Sequence, residues 1–196
     1  MKAINKTLTL AAVSLVAAAT LHAPSAHAAA AMTATGCPAP SKAEIKRSYD
    51  AKEDKPAKGA TALKGVHVGY IPKGFTHGQV VAQKHHGVTE YGYQWTDDRS
   101  EIDLKRRFLW VRVVCWPGAR ELADLKKLPV TLGTFTSGVK TRTIGGRQVL
   151  TKLGDGALGA GRYTGWVERE GVVVTVMAGR PHLGDLDKII AGVKVS

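Results

Sequence analysis

Past residue 28 the sequence holds no apolar run long enough to cross a bilayer, so no transmembrane segment is expected in the processed chain. It has no Gly-x-Ser-x-Gly elbow, which removes the serine hydrolases built on that turn. Only two cysteines occur in 196 residues. One of them, Cys115, closes an apolar strand pattern, the wrong surroundings for a reactive thiolate. No internal repeat is visible. Although the formal net charge is +12, the basic residues are interspersed with acidic ones, and only Lys105-Arg106-Arg107 forms a tight run. That pattern suits a charged soluble surface better than a dedicated polyanion groove.

What is present begins with a leader. Lys2 and Lys6 precede an apolar and small-residue run from Leu8 to Leu21, and Ala26-His27-Ala28 offers a cleavage site. Residues 1–28 therefore read as a secretion signal cleaved after Ala28, and removal of its two lysines lowers the net charge to +10. A secreted chain with Cys37 and Cys115 invites a disulfide between them. So long a loop would be worth roughly 4 kcal/mol in the chain-entropy model. Ala34-Thr35-Gly36-Cys37 also has the small residues of a lipoprotein signal, which leaves a lipid anchor at Cys37 as the competing expectation.

Residues 29–65 read as a tail and linker. Ser41 is a possible N-cap three residues before Glu44, and Asp50 to Gly65 has almost nothing to bury. A single domain is expected over 66–196. Strand patterns occur at Val66–Ile71, Gly78–His86, Val88–Trp95 and Ile102–Trp116, with Tyr91, Tyr93 and Trp95 on one face. The centre of the longest, Phe108 to Val114, is apolar on both faces except at Arg112, as in a strand covered on each side. Ala119 to Leu128 has helical spacing. Gly145-Gly146 suits a hairpin turn between Val139–Ile144 and Gln148–Leu153. Strands at Arg162–Val167 and Gly171–Ala178 precede a helix with Leu183, Leu186, Ile189, Ile190 and Val193 on one stripe. The expected fold is α+β: a curved antiparallel sheet with a C-terminal helix packed on it and one short internal helix.

The chemical candidates are few. Gly154-Asp155-Gly156-Ala157-Leu158-Gly159 matches a dinucleotide fingerprint by letter, but a strand rather than a helix follows, so it reads as a turn and no cofactor is expected. His67, His77, His85 and His86 read as scattered surface histidines. Adjacent His85 and His86 on a strand would point to opposite faces, so no metal site is expected. Asp97, Asp98, Glu101 and Asp103 cluster about a turn beside Arg99 and Lys105, a solvated loop before it is an acid–base pair. Trp95, Trp110, Trp116 and Trp166 could line a ligand cleft on a curved sheet.

Tyr70-Ile71-Pro72-Lys73-Gly74-Phe75 resembles the opening motif of a bacterial extracytoplasmic domain family of unknown function. That family is often found at the outer ends of anti-sigma factors, with a lipoprotein-carrier-like shape. Gly146–Leu153, Tyr163–Glu168, Gly171–Ala178 and a helix from about Leu183 extend the resemblance over roughly residues 66–195. It implies a non-enzymatic sensing or binding domain with no catalytic residues. This chain departs from the pattern in carrying a cleavable leader and no anchor. The expectation is thus a secreted, non-enzymatic binding module at the cell envelope, its ligand hydrophobic or a protein partner. A wall- or polyanion-associated basic protein and, more distantly, a hydrolase using the surface carboxylates from Asp97 to Asp103 are the alternatives.

Overall fold

Alternation of large apolar residues on both sides of neighbouring strands demands cover on both faces, and the chain supplies it from two different segments. The computed structural model describes residues 36–100, 102–154 and 161–196. The leader with its cleavage point after Ala28, and residues 155–160 of the Gly-rich run, lie outside the described residues. Helix α1 (Lys42–Tyr49) is followed by β1 (Glu53–Asp54), β2 (Val66–Val68), β3 (His77–His85), β4 (Val88–Thr96) and β5 (Phe108–Cys115). Then come β6 (Lys140–Ile144), β7 (Arg147–Leu153), β8 (Arg162–Arg169), β9 (Val172–Ala178), α2 (Leu186–Gly192) and β10 (Val193–Val195). Eight strands form one open antiparallel sheet in the order β1-β3-β4-β5-β9-β8-β7-β6, while β2 and β10 pair separately. The α+β expectation holds.

One face carries Tyr91, Tyr93, Trp95, Val111, Val113, Val174, Val176 and Trp166, and against it pack Leu186, Ile189 and Ile190 of α2 with Val66, Val68 and Leu63. The other carries Phe108, Trp110, Val114, Tyr163, Val173 and Met177, covered by Leu125, Leu128, Val130 and Phe135 of the connection between β5 and β6. At its far end α2 is held by Arg147. The guanidinium donates to the carbonyls of Ile190 and Val193, 2.8 Å each, and lies 5.1 Å from the Trp166 ring. A cation at the end of a helix satisfies carbonyls that have no partner within it.

The stretch from 50 to 65 is not a free linker: it belongs to the same compact unit as the strands. Its hold on the sheet is mostly polar, which explains why the sequence pattern conceals it. Ser41 and Glu44 form the capping box of α1, and Glu44 also accepts the Tyr91 hydroxyl at 2.5 Å. Tyr93 donates to Asp54 and accepts from the Lys58 amide, and Trp95 donates its indole N–H to the Lys58 carbonyl at 2.7 Å. The Lys64 amide donates to Tyr91. On the outer side of β3, β1 pairs at Gly78 and Gln79 while the Ala82 amide donates to Ser48. Further along the chain, Arg169 gathers the carbonyls of Gly36, Val195 and Ser196.

Three boundaries differ from expectation for local reasons. The strand expected from Ile102 begins at Phe108, because Asp103 turns the chain by accepting from the Lys105 amide. The helix expected over Ala119–Leu128 is a 3-10 turn, Leu122–Lys127, started by the Asp124 carboxylate on the Arg120 and Glu121 amides. The strand expected over Val66–Ile71 stops at Val68, and the next amide, Gly69, donates to Gly192 of α2.

Cys37 and Cys115 are joined across 78 residues, Cα atoms 5.9 Å apart. The bridge leaves no thiol on Cys37 to acylate, so the lipid-anchor expectation is withdrawn. It is consistent with an extracellular protein, and among the described residues no helix is long and apolar enough to cross a membrane. A Cys37→Ser, Cys115→Ser double variant is expected to lose about 4 kcal/mol of unfolding free energy, measured by urea denaturation under non-reducing conditions.

Candidate functional site

Arg112, the lone charge in the central strand, stands in a row of facing residues Gly92, Arg112, Thr175 and Gly165 across β4, β5, β9 and β8. The glycine at 92 is a spatial requirement: a Cβ there would meet the Trp110 indole nitrogen at 2.7 Å and the Arg112 Cβ at 3.0 Å. The side chain of Arg112 is 1% exposed and that of Glu90 is fully buried. The guanidinium donates to Glu90, to Thr175 (3.0 Å), to the Tyr163 hydroxyl and to the Leu132 carbonyl (3.1 Å), with its charged end 4.6 Å from the Trp110 ring. Burial pushes the Tyr163 hydroxyl pKa up, so it stays protonated. Four donated bonds to four partners make this a satisfied internal ion pair, which ties the loop carrying Leu132 to the sheet.

Through Glu90 the pair connects to the β3–β4 hairpin. Glu90 accepts from His85 Nε2 at 2.5 Å and from the Gln83 side-chain Nε2 at 2.9 Å. The neighbouring ring, His86, is not on the opposite face as expected. His86 and Gly87 both have positive φ, 45° and 75°, so the chain reverses and the two imidazoles meet edge to face with centroids 5.6 Å apart. His77 lies elsewhere, 3.3 Å from Asp98 and 3.6 Å from Glu53. His67 is exposed on β2, opposite Lys194.

The four tryptophans do not converge. Trp95 and Trp166 are buried on the α2 face and their indole N–H groups are engaged, by Lys58 and by Glu168. Trp110 is buried on the other face, and Trp116 is half-buried beyond the end of β5. Alternation along the strands is the cause, since 95 and 166 face one way and 110 the other. Of the carboxylates at the turn, Asp97 is buried between Arg99 and Arg107, and Asp103 is fixed by the Lys105 amide and Arg99. The Lys105 amide bond, together with Arg99, holds Asp103 below the usual carboxylate range, so it is a poor proton donor near neutrality. Beside this turn sits a group the sequence did not single out. His182 is buried, its ring 5.1 Å from Phe75 of the Tyr70–Phe75 motif, and its Nε2 has no hydrogen-bond partner.

Two open grooves mark the surface. One of about 520 Å³ is bounded by Arg120, Arg147, Trp166, Glu168, Arg169 and Glu170, and one of about 440 Å³ by Lys64, His67 and Lys194. The sheet ends differ more sharply. The β3 end is covered by β1 and α1, whereas among the described residues β6 pairs only with β7, and Lys140, Thr141, Arg142 and Thr143 are all exposed. Pairing with Thr151 and Val149 places Lys140 and Arg142 on the α2 face of that edge.

Compared with known proteins, the chain matches no family model, no curated protein and no solved structure.

Two outcomes follow from this geometry. Arg112→Met alone strands the Glu90 charge and is expected to cost about 3–5 kcal/mol in urea unfolding, while adding Glu90→Leu recovers most of that loss. Burial holds the His182 imidazole below its ordinary pKa, offset in part by Asp185. A depressed folded-state pKa contributes stability that is present above the unfolded value near 6.5 and lost as pH falls below it. Thermal unfolding followed from pH 7.5 to 5 is therefore expected to show a smaller drop for His182→Leu than for the parent.

Proposed function

We propose that the protein is a secreted, non-enzymatic binding module that takes an extended acidic segment of an envelope protein along its β6 edge. The observation that carries this reading is the bare strand Lys140–Ile144, set against the covered edge at β3. An unpaired edge strand offers a row of backbone donors and acceptors to an added strand. Lys140 and Arg142 choose the partner's charge. Two copies pairing edge to edge would bring like charges together, whereas Glu or Asp on alternate positions of a foreign strand would complement them. The resemblance of Tyr70–Phe75 to extracytoplasmic sensing domains points the same way. A hydrophobic ligand has less support, because both sheet faces are packed and the larger groove, bounded by Arg120, Arg147, Glu168, Arg169 and Glu170, is open and charged. The second reading, attachment to anionic wall polymer, rests on the net charge of +10 left after removal of the leader.

An eight-residue peptide of alternating Glu and Val, with polyglutamate as comparison, separates the two. Peptide binding is expected to slow hydrogen exchange at residues 140–144 and to weaken at least tenfold in a Lys140→Glu, Arg142→Glu variant. Equal binding of polyglutamate with no change in exchange at β6 would replace strand addition with simple polyanion attraction.

A further inference from the structure

The hairpin joining β3 to β4 carries a second arrangement that neither the ion pair nor the β6 edge explains. Nδ1 of His85 and Nδ1 of His86 stand 3.4 Å apart. Two imidazole nitrogens bound to one tetrahedral zinc at 2.0–2.1 Å are separated by about 3.4 Å, from simple trigonometry on the usual bond length. Adjacent ligands in a square plane, as copper(II) prefers, would stand about 2.9 Å apart. The left-handed turn at His86 and Gly87 produces this approach, since an extended chain would send the two rings to opposite faces.

The other nitrogen of His85 is also accounted for. Nε2 lies 2.5 Å from Glu90 Oε1, and Glu90 is held in turn by Gln83 and by the buried guanidinium of Arg112. A carboxylate that accepts the Nε2 proton fixes the tautomer in which Nδ1 is bare, and this carboxylate–histidine support is the usual outer shell of a metal-binding imidazole. His86 is exposed, so an ion can reach the pair from solvent. Among the described residues no cluster of three or more His, Cys, Asp or Glu converges.

We infer that His85 and His86 form a two-histidine site for a divalent transition ion, zinc by its geometry, with Glu90 as the positioning carboxylate behind His85. With only two protein ligands, water completes the coordination and the ion exchanges freely. The site differs in this from a closed structural zinc centre, which supports folding directly.

Zinc chloride titrated into the full, tag-free chain against a chromophoric chelator tests the site, with side-chain NMR resonances of the histidines recorded in parallel. One equivalent of zinc is expected to bind and to shift the His85 and His86 ring signals. His85→Gln and His86→Asn are each expected to weaken binding at least tenfold, Asn being chosen because it tolerates the left-handed turn. Glu90→Gln should weaken it 10- to 100-fold, and His67→Gln should leave it within twofold. If Glu90→Gln does not fold, the exposed His86→Asn variant still decides the matter. Absence of stoichiometric binding, binding that survives His86→Asn within twofold, or an equal loss in His67→Gln would each overturn the assignment.

Discussion

A guanidinium withdrawn from water in the middle of a sheet has to be answered donor by donor, and much of this molecule is arranged around that requirement at Arg112. Thr175 answers from β9, Tyr163 from β8, Glu90 from β4 and Leu132 from the connection between β5 and β6. Apart from the adjoining strands β8 and β9, these segments are far apart in sequence. Each is therefore placed by a group whose misplacement would leave a buried charge incompletely satisfied, and such a penalty is steep in a low-dielectric interior. The same requirement reaches outward through Glu90 to Gln83 and His85, so the tip of the β3–β4 hairpin takes its geometry from the centre of the sheet.

The opposite face is closed by other means. The segment from Ser41 to Lys64 contributes few large apolar side chains; Ala62 and Leu63 are its buried ones. Its grip comes from Tyr91, Tyr93 and Trp95, each offering an apolar ring to the sheet and a polar tip to the chain above. Burial raises the Tyr91 and Tyr93 hydroxyl pKa values well above the ordinary range, so both remain donors at any physiological pH. For Glu44 and Asp54, burial pushes the carboxyls up, but hydrogen bonds from Tyr91 and Ser41 to the first and from Tyr93 and Arg47 to the second bring both below their ordinary values. The disulfide then fixes where this segment begins.

The elements legible in sequence are those whose signal is apolar or conformational. The facing aromatic residues of β4, the two-sided burial of β5 and the Gly145-Gly146 turn (φ 58° and 77°) appear where expected. The Ser41–Glu44 capping box does too. Of the expected C-terminal helical stripe, Leu186, Ile189 and Ile190 lie on α2, while Leu183 falls in a preceding 3-10 turn and Val193 opens β10. What was hidden depends on contacts distant in the chain. Asp50–Gly65 looked free because polar clips leave no periodicity. Glu90 carries no signal of its own in the pattern of β4, and only strand register brings Arg112 beside it. Strand geometry sends His85 and His86 to opposite faces, and it fails because the backbone turns left-handed at His86 and Gly87. The tryptophans could be counted, but placing them together required knowing that 95 and 166 share a face that 110 does not.

Arg169 holds the carbonyls of Gly36 and Ser196 on a single guanidinium. Two positions separated by almost the whole described chain thus lie side by side, a few ångströms apart. In topological terms the fold is nearly a closed loop, with its seam at this arginine. A short peptide could join residue 196 to residue 36 with little disturbance, and the chain could be opened instead at the exposed residues Ser137 and Gly138 before β6. Chain leaving at residue 36 and chain leaving at residue 196 would depart from the same small area of surface, close to the Cys37–Cys115 bridge.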